Sequence, residues 1–508
     1  MNRDGARTSL WQANRPNYQP VGRWDKNGIY DVLIVGGGIT GLTTALLLQE
    51  QGKKCLVAEA HTLGFGTTGG TTSHLNTLVD TTYPTLESDF GQEGARQVAQ
   101  ATGEAIALVE RLVTQYQIDA GFSYQSAWLY AQDEKEVQEL EEIYEASRRA
   151  GLEVQAAGAI PVPIPFQKAY RFAGQGQIHA SQYLLGLAAA FEKAGGVIVQ
   201  QCLVQGTSHH DPIVATTSQG EIRARKLVYA THQPPGVSIF NFRLAPYRSY
   251  AAAFTLKDEK YPTGLAYDMK DPYNYFRTQE SDGVRYVIAG GFDHKTGHED
   301  NTDHIFTELE AYQRTYFNVD QMAYRWSSQY YEPVDGLPYI GAYPGLEGTF
   351  VATGYSGNGI TYGTVAGQLL SNLLMGQDSP YADLFSPARI KPVASFANFI
   401  KENADVASVF IGKRFSYEKI TELAELAPGE AKTVKWEGTP IALYKEENGK
   451  VYALDPVCPH AKCIVHWNGA EKSWDCPCHG ARYGCDGSLL TGPARRGLTV
   501  LEWEKLPI

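Results

Sequence analysis

The sequence predicts an α/β domain carrying an antiparallel-sheet lobe, followed by a small all-β domain. Three observations carry that reading. A continuous apolar run, Val32-Leu33-Ile34-Val35, leads into Gly36-Gly37-Gly38-Ile39-Thr40-Gly41 and then into an apolar helical pattern. Residues 244–292 are rich in β-formers and aromatics at strand-like lengths. Beyond residue 415 only short strands and turns are expected, and within them two loops each offer cysteine and histidine.

Composition sets the bounds. A chain of 508 residues is too long for one ordinary domain, so two or three are expected. A formal net charge of −12 without a long basic run argues against nucleic acid or an anionic membrane surface as partner. No apolar run reaches the length of a membrane span. The first 27 residues are polar and lack the apolar core of a signal peptide, so a cytoplasmic protein is expected. Of seven cysteines, five follow residue 457, a distribution unlike a disulfide-stapled secreted fold. Cys55 and Cys202 lie in apolar runs and read as core residues.

In chain order, residues 1–29 read as a loop-like N-terminal extension with Pro16, Pro20, Gly22 and Gly28. The apolar run 32–35 suits a strand buried on both faces. Residues 42–51 continue as a helix closed by Gly52, and Cys55-Leu56-Val57-Ala58 forms a second strand ending at Glu59. The spacing has a physical reason. Gly36 permits the tight turn, Gly38 lets backbone approach a pyrophosphate, and Gly41 lets helix pack on strand. The helix N-terminus offers unpaired N–H groups to phosphate, and Glu59 is placed for ribose hydroxyls. The reading is dinucleotide binding.

Residues 64–74 are rich in Gly and hydroxyls and can wrap a cofactor, although alone they read as a flexible loop. Amphipathic helices are expected at about 91–116 and 133–150, and a third at 181–194 with Ser181 as N-cap and a Gly-Gly stop. Residues 197–230 alternate short strands and turns. Asp335-Gly336-Leu337-Pro338-Tyr339-Ile340-Gly341 and the Gly-rich stretch 349–360 precede a helix to about Met375. A second anionic group can be held there. The N1–C2=O edge of a flavin would suit, since it gains negative charge on reduction; an ordinary βα turn is the other reading. Residues 376–415 read as a connector with Pro380, Pro387, Pro392 and a helix near 395–404.

The C-terminal loops read Cys458-Pro459-His460 and Cys476-Pro477-Cys478-His479. Two thiolates and two imidazoles are the ligand set of a [2Fe–2S] centre with two sulfur-ligated and two nitrogen-ligated positions. Zinc accepts the same donor atoms and is the alternative.

These motifs resemble two known families. Residues 30–375 resemble the D-amino-acid oxidase, glycine oxidase and sarcosine oxidase family of FAD enzymes. The resemblance rests on Gly36-x-Gly38-x-x-Gly41 with Glu59, Ala230-Thr231, Asp335-Gly-x-Pro338-x-Ile340-Gly341 and Ala352-Thr353-Gly354-x-x-Gly357-x-Gly359. It implies FAD in contact with Gly36, Gly38, Ile39, Thr40, Gly41, Glu59, Thr67, Thr68, His74, Val204, Thr231, Gly341, Gly357, Gly359 and Ile360. It also implies a Rossmann-like domain with a substrate lobe at about 240–330. Residues 416–508 resemble a Rieske domain, which implies Cys458, His460, Cys476 and His479 as cluster ligands. Cys463 and Cys478 match the disulfide pair of respiratory-chain Rieske proteins, and Gly492-Pro493-Ala494 matches the loop that covers the cluster.

Departures from the family patterns carry expectations of their own. Ala481 stands where respiratory members have Ser, whose hydroxyl raises the potential, while Tyr483 is retained; a low potential for the type follows. Tyr330 stands where glycine-oxidase-like members grip a carboxylate with Arg, a role that Arg277 or Arg325 could take over, although each reads first as a structural or solvated residue. His74 stands where some relatives attach flavin covalently, but a plain contact or core role is the expected one. Asp293-His294-x-x-x-His298 is the nearest thing to the mononuclear iron site of a Rieske oxygenase, but its spacing does not match and it reads as a surface loop.

The expected function is that of a dehydrogenase. It would oxidise a C–N bond of an amine or amino acid and pass electrons singly through the cluster to an external acceptor. A reductase with the opposite flow, or a non-catalytic electron carrier, are the alternatives. No residue stands out as a catalytic base.

Overall fold

The computed structural model describes residues 3–13, 15, 17–390, 426–436 and 439–502. Strand Ile29–Val35 lies inside an eight-stranded sheet whose main path runs Tyr339–Ala342, Thr349–Thr353, Gly220–Tyr229, Ile29–Val35, Cys55–Ala58, Val197–Val199. From Thr349–Thr353 to Val197–Val199 the pairing is parallel. Val32, Leu33 and Ile34 are buried on both faces, which is why the strand has no polar alternation. Helices Ile39–Glu50 and Gly359–Leu374 pack together tightly. A Cβ on Gly367 would lie 2.5 Å from Thr43, and one on Gly363 would lie 3.0 Å from Thr40. This close approach brings both helix N-termini to one place.

The second sheet has nine strands. Its main path runs Val319–Pro333, Leu244–Leu256, Val284–Lys295, Tyr275–Ser281, Leu265–Asp268, Ser123–Ala131, Lys168–Gln177, His74–Leu75. The lobe expected at 240–330 therefore recruits strands from the first half of the chain. Leu265–Asp268 pairs in parallel with Ser123–Ala131, a junction between segments far apart in sequence.

Three boundaries differ from expectation. The helix expected from residue 91 begins at Tyr83, with Pro84 in its first turn, and bends at Gly91, whose φ is 76°. Helix Ala180–Lys193 is capped by His179, whose side chain accepts from Gln182 N–H, and Ser181 lies inside it. Residues 3–13 form no helix or strand, yet they are packed rather than loose. Leu10 and Trp11 are buried with Trp326 and Ile288. The helix expected near 395–404 and the start of the second domain at 416–425 lie outside the described residues.

The C-terminal domain contains a three-stranded sheet, Ala431–Trp436, Thr439–Lys445 and Val451–Leu454, and a four-stranded one, His466–Asn468, Ser473–Asp475, Arg482–Gly484 and Leu489–Thr491. Its core holds Trp474, Tyr483 and four buried cysteines. A buried network of charges joins it to the N-terminal segment and the nine-stranded sheet. Arg482 lies 3.0 Å from Asp475 and 3.3 Å from Asp4, and Arg248 lies 3.9 Å from Asp475. Glu471 accepts from Ser327 N–H (3.0 Å) and Oγ–H (2.6 Å), and Arg3 donates to the Ser327 carbonyl (2.6 Å). Among the described residues no helix is long and apolar enough to cross a membrane.

Candidate functional site

One cavity runs between the two sheets. Gly36, Gly38, Ile39, Thr40, Glu59, Thr67, Thr68, His74, Val204, Thr231, Gly357, Gly359 and Ile360 all line it. Two glycines assigned to the cofactor do not. Gly41 sits behind the turn, where a Cβ would lie 1.9 Å from the Gly36 carbonyl oxygen, so it permits helix-on-strand packing. Gly341 lies in edge strand Tyr339–Ala342, where a Cβ would meet Pro387 at 3.1 Å. It lies against the 385–389 segment and is not among the residues that line the cavity. In the same motif Asp335 pairs with Arg389 at 2.7 Å, which ties that segment down.

The end near Gly36 is built for phosphate and ribose. Gly36 has φ 108°, a conformation that L side chains rarely adopt. Neither helix N-terminus beside the cavity, at Gly38 or at Asn358, is capped by its own N-cap side chain; Ile39 N–H donates to Thr68 Oγ1 at 3.3 Å, and other first-turn N–H groups remain for a ligand. Glu59 accepts from Gly37 N–H (2.8 Å) and His61 N–H (2.9 Å), which orients its carboxylate. These features fit a dinucleotide.

The opposite end is a wall of tyrosines. His74 Nδ1 bonds the Tyr267 hydroxyl, its buried Nε2 has no partner, and burial holds the imidazole neutral. Tyr330 occupies the position of the family Arg and donates to Asp293 Oδ2 at 2.8 Å. Neither substitute arginine lines the cavity. Arg277 is buried and spends its guanidinium on the carbonyls of Thr72 (3.2 Å), Ser73 (2.5 Å) and Ile178 (3.3 Å). Arg325 pairs with Glu310. Asp293 is part of the cavity wall and not of a surface loop, while His294 Nε2 turns away to the Tyr250 hydroxyl at 3.0 Å. Tyr267, Tyr273, Tyr275, Ser249 and Asp293 were not marked as site residues by sequence. The one signal for them was the alternation Tyr273-x-Tyr275, which puts both rings on the same side of the chain.

The Cys/His loops converge at the far side of this wall. Cys458 and Cys476 are free, buried thiols. The rings of His460 and His479 lie 5.0 Å apart edge-on. Both ring nitrogens of His460 and Nδ1 of His479 are buried without a partner. Cys463 and Cys478 are joined by a disulfide that ties the loops together at a Cα–Cα distance of 6.4 Å. The pairing leaves two thiols and two imidazoles, and the orphaned nitrogens need acceptors of their lone pairs or protons. That donor set fits a [2Fe–2S] cluster. Tyr483 Oη lies 3.0 Å from Cys458 Sγ, and Ala481 is fully buried and brings no hydroxyl.

The two sites are mechanically joined. Tyr331 donates to the His479 carbonyl (3.1 Å) and Gln329 to the Gly480 carbonyl (2.9 Å). The Tyr331 ring meets His232 edge-on at 4.6 Å, and His232, which lines the cavity, bonds Thr67 Oγ1 at 3.2 Å. The loop Gly492-Pro493-Ala494 closes over the same region, with Gly236 N–H donating to the Pro493 carbonyl at 2.7 Å.

Comparison with known proteins agrees with this arrangement. Residues 31–373 match the FAD dependent oxidoreductase family, and residues 416–502 match the Rieske [2Fe-2S] domain. The chain is 31% identical over 476 residues to the Rieske 2Fe-2S iron-sulfur protein YhfW of Bacillus subtilis, with 93% of each chain covered. It is 26% identical over 399 residues to the gamma-glutamylputrescine oxidoreductase of Escherichia coli, covering 75% of this chain and 91% of that one. The fold superposes on glycine oxidase from Geobacillus kaustophilus with a TM-score of 0.60 at 21% identity, covering 71% of this chain and 99% of the other.

Two expected outcomes follow from these geometries. Gly41→Ala should yield protein purified with little or no yellow colour, because the added Cβ cannot coexist with the Gly36 carbonyl. The flavin-to-protein absorbance ratio measures it. Ala481→Ser should raise the cluster potential, and the native value should fall in the lower part of a range of roughly −150 to +300 mV. Protein-film voltammetry reads both; a native value near the top of the range would refute the expectation.

Proposed function

The chain belongs to the FAD-dependent oxidoreductase family and ends in a Rieske [2Fe–2S] domain, and from that premise we propose that it is a dehydrogenase acting on a C–N bond of an amine or amino acid, delivering electrons singly through the cluster to an external acceptor. When bound, FAD supplies two-electron acceptance from the substrate carbon and the cluster supplies a one-electron outlet. Residues 30–375 would hold the first and residues 416–508 the second. Cytoplasmic placement belongs to the same proposal, with the Cys463–Cys478 bond shielded by burial.

One observation carries the reading: Tyr331 touches both sites. Its hydroxyl binds the backbone of His479 and its ring abuts His232 at the cavity. A carrier that merely shuttled between outside partners would need no such rigid bridge. The chain's own residues supply the positioning. Uncapped helix N-termini and Glu59 orient the dinucleotide, the tyrosine wall excludes water from the substrate end, and Cys458, Cys476, His460 and His479 would hold the cluster.

The deciding experiment mixes oxidised protein with amines and amino acids without oxygen, following flavin absorbance and the cluster's EPR signal together. The signal should appear as the flavin bleaches. A bleached flavin beside a cluster that stays oxidised would sink the proposal. Gly480→Ala should slow the second event and leave the first unchanged. Gly480 has φ 71°, and a Cβ there would lie 2.7 Å from Pro246 and 2.8 Å from the Tyr331 hydroxyl, so the loop must back away.

A further inference from the structure

We propose that the substrate is a cationic amine whose ammonium group is held by Asp293 within the tyrosine wall, and that a carboxylate is disfavoured there. The inference rests on the reading of this cavity as the place where a C–N bond is oxidised. It goes further by choosing between the amine and the amino acid.

Asp293 has two oxygens with different fates. Oδ2 accepts from Tyr330 at 2.8 Å. Oδ1 is closed off from solvent and has no partner. A buried carboxylate oxygen with no donor is costly unless a ligand supplies one. Tyr267, Tyr273, Tyr275, Tyr330 and Ser249 line the cavity with it. Phenol rings attract a cation on their faces, and their hydroxyls tolerate an ammonium's N–H donors.

The charge balance points the same way. Among the described residues, no lysine or arginine lines the cavity. Arg277 is spent on backbone carbonyls, and Arg325 on Glu310. The three histidines that line the cavity, His61, His74 and His232, are held neutral by burial. Of the other acids, Asp4 is matched by Arg482 and Arg3, and Glu59 is occupied at the dinucleotide end. Asp293 alone faces the substrate space without a counter-charge. A ligand carboxylate would meet an anion and no cation, whereas an ammonium would complete an ion pair.

The titration behaviour is consistent with this geometry. Burial pushes the Asp293 carboxyl up to about 7, with help from the charges of Asp80 and Asp271, while the nearby Ser249 hydroxyl and the Tyr330 hydrogen bond pull it down. Tyr330, Tyr273 and Tyr275 are the titratable phenols that feel its charge, and burial pushes each of them up, out of the neutral range. Asp293 must lose its proton to pair with an ammonium. Ligand binding below about pH 7 therefore releases a proton, and affinity falls as pH falls.

The test uses full-length protein loaded with FAD and cluster, titrated calorimetrically with tert-butylammonium and with pivalate. The two share a tert-butyl group and are opposite in charge, and neither has a hydrogen on its quaternary carbon. Tert-butylammonium should bind at least about tenfold more tightly than pivalate. Its affinity should drop about tenfold between about pH 8 and pH 6, with proton release visible as a buffer-dependent heat. Asp293→Asn should weaken the ammonium by about tenfold or more, abolish the proton release and, by removing the repelling anion, tighten pivalate. Equal or tighter binding of pivalate, or ammonium binding without pH dependence in the native protein, would overturn the proposal whether or not the variant folds. These probes report binding without turnover, so the two readings fail separately. If no amine or amino acid bleaches the flavin, the oxidation reading fails. If amino acids bleach it and pivalate wins, oxidation stands and the cationic substrate falls.

Discussion

Arg482→Met is expected to destabilise the protein by about 3–5 kcal/mol, the largest loss among the stability variants considered. The guanidinium is fully buried, bonded to Asp475 at 3.0 Å, Ser473 Oγ at 3.0 Å and the Asp4 carbonyl at 2.5 Å. The net worth of such a pair against water is small. The cost arises because Asp4 and Asp475 would remain buried with less positive charge to face. Urea denaturation followed at the tryptophans should show a lowered midpoint, and residues 3–13 should become cleavable by protease while the native protein resists. Adding Asp4→Asn should recover part of the loss, since the orphaned charge is then removed. The pH dependence has a definite sign. Burial pushes the Asp4 carboxyl up, but Arg482, Arg3 and Arg248 outweigh it and the net shift is downward. Its contribution is therefore complete above the unfolded value of about 3.9 and is lost as pH falls through the lower folded value. In Arg482→Met this protection should fail at a higher pH than in the native protein.

Cys476→Ser is expected to remove the cluster's EPR signal entirely while the flavin absorbance of the purified protein is retained. The thiol is buried with Cys458, His460 and His479 around it; Cys463 and Cys478 are bonded to each other, and the remaining free cysteine of this domain, Cys485, is only half-buried at the edge of the same core. Substrate should still bleach the flavin once, but reduction of a one-electron acceptor should fall to background. The split between a preserved first half-reaction and a lost second one separates an electron outlet from a structural domain. A variant that lost the cluster yet reduced the acceptor at the native rate would show that electrons leave by another route.

Much of the site could be read from contiguous stretches. Gly36, Gly38 and Glu59 line the cavity because a strand, a tight turn and a helix are laid down by neighbouring residues. The same holds for Cys458 with His460 and for Cys476 with His479, each pair confined to one loop. The place of Gly341 away from the cavity lining was not legible for the complementary reason: its motif lies in a short strand, and only sheet order shows that this strand is the outer edge. For Arg277 and Arg325 the structure shows the structural reading over that of a carboxylate anchor, a choice the sequence left open because a charged residue in a strand looks alike whether it faces ligand, backbone carbonyls or a glutamate.

From the chain's own local patterns came the two cofactor classes, the parallel strand with its phosphate turn, and the Cys/His loops proposed to hold the cluster, all set by local backbone requirements. Only the tertiary structure decided how these parts address each other. It placed Tyr331 between His232 and His479, turned residues 3–13 into a buried strap through Arg3 and Asp4, and left Asp293 facing the cavity without a cation. The physical reason is that such contacts join residues distant in the chain. Burial and pairing of charge across a sheet interface follow from packing geometry, and leave no periodicity or spacing in the sequence to announce them.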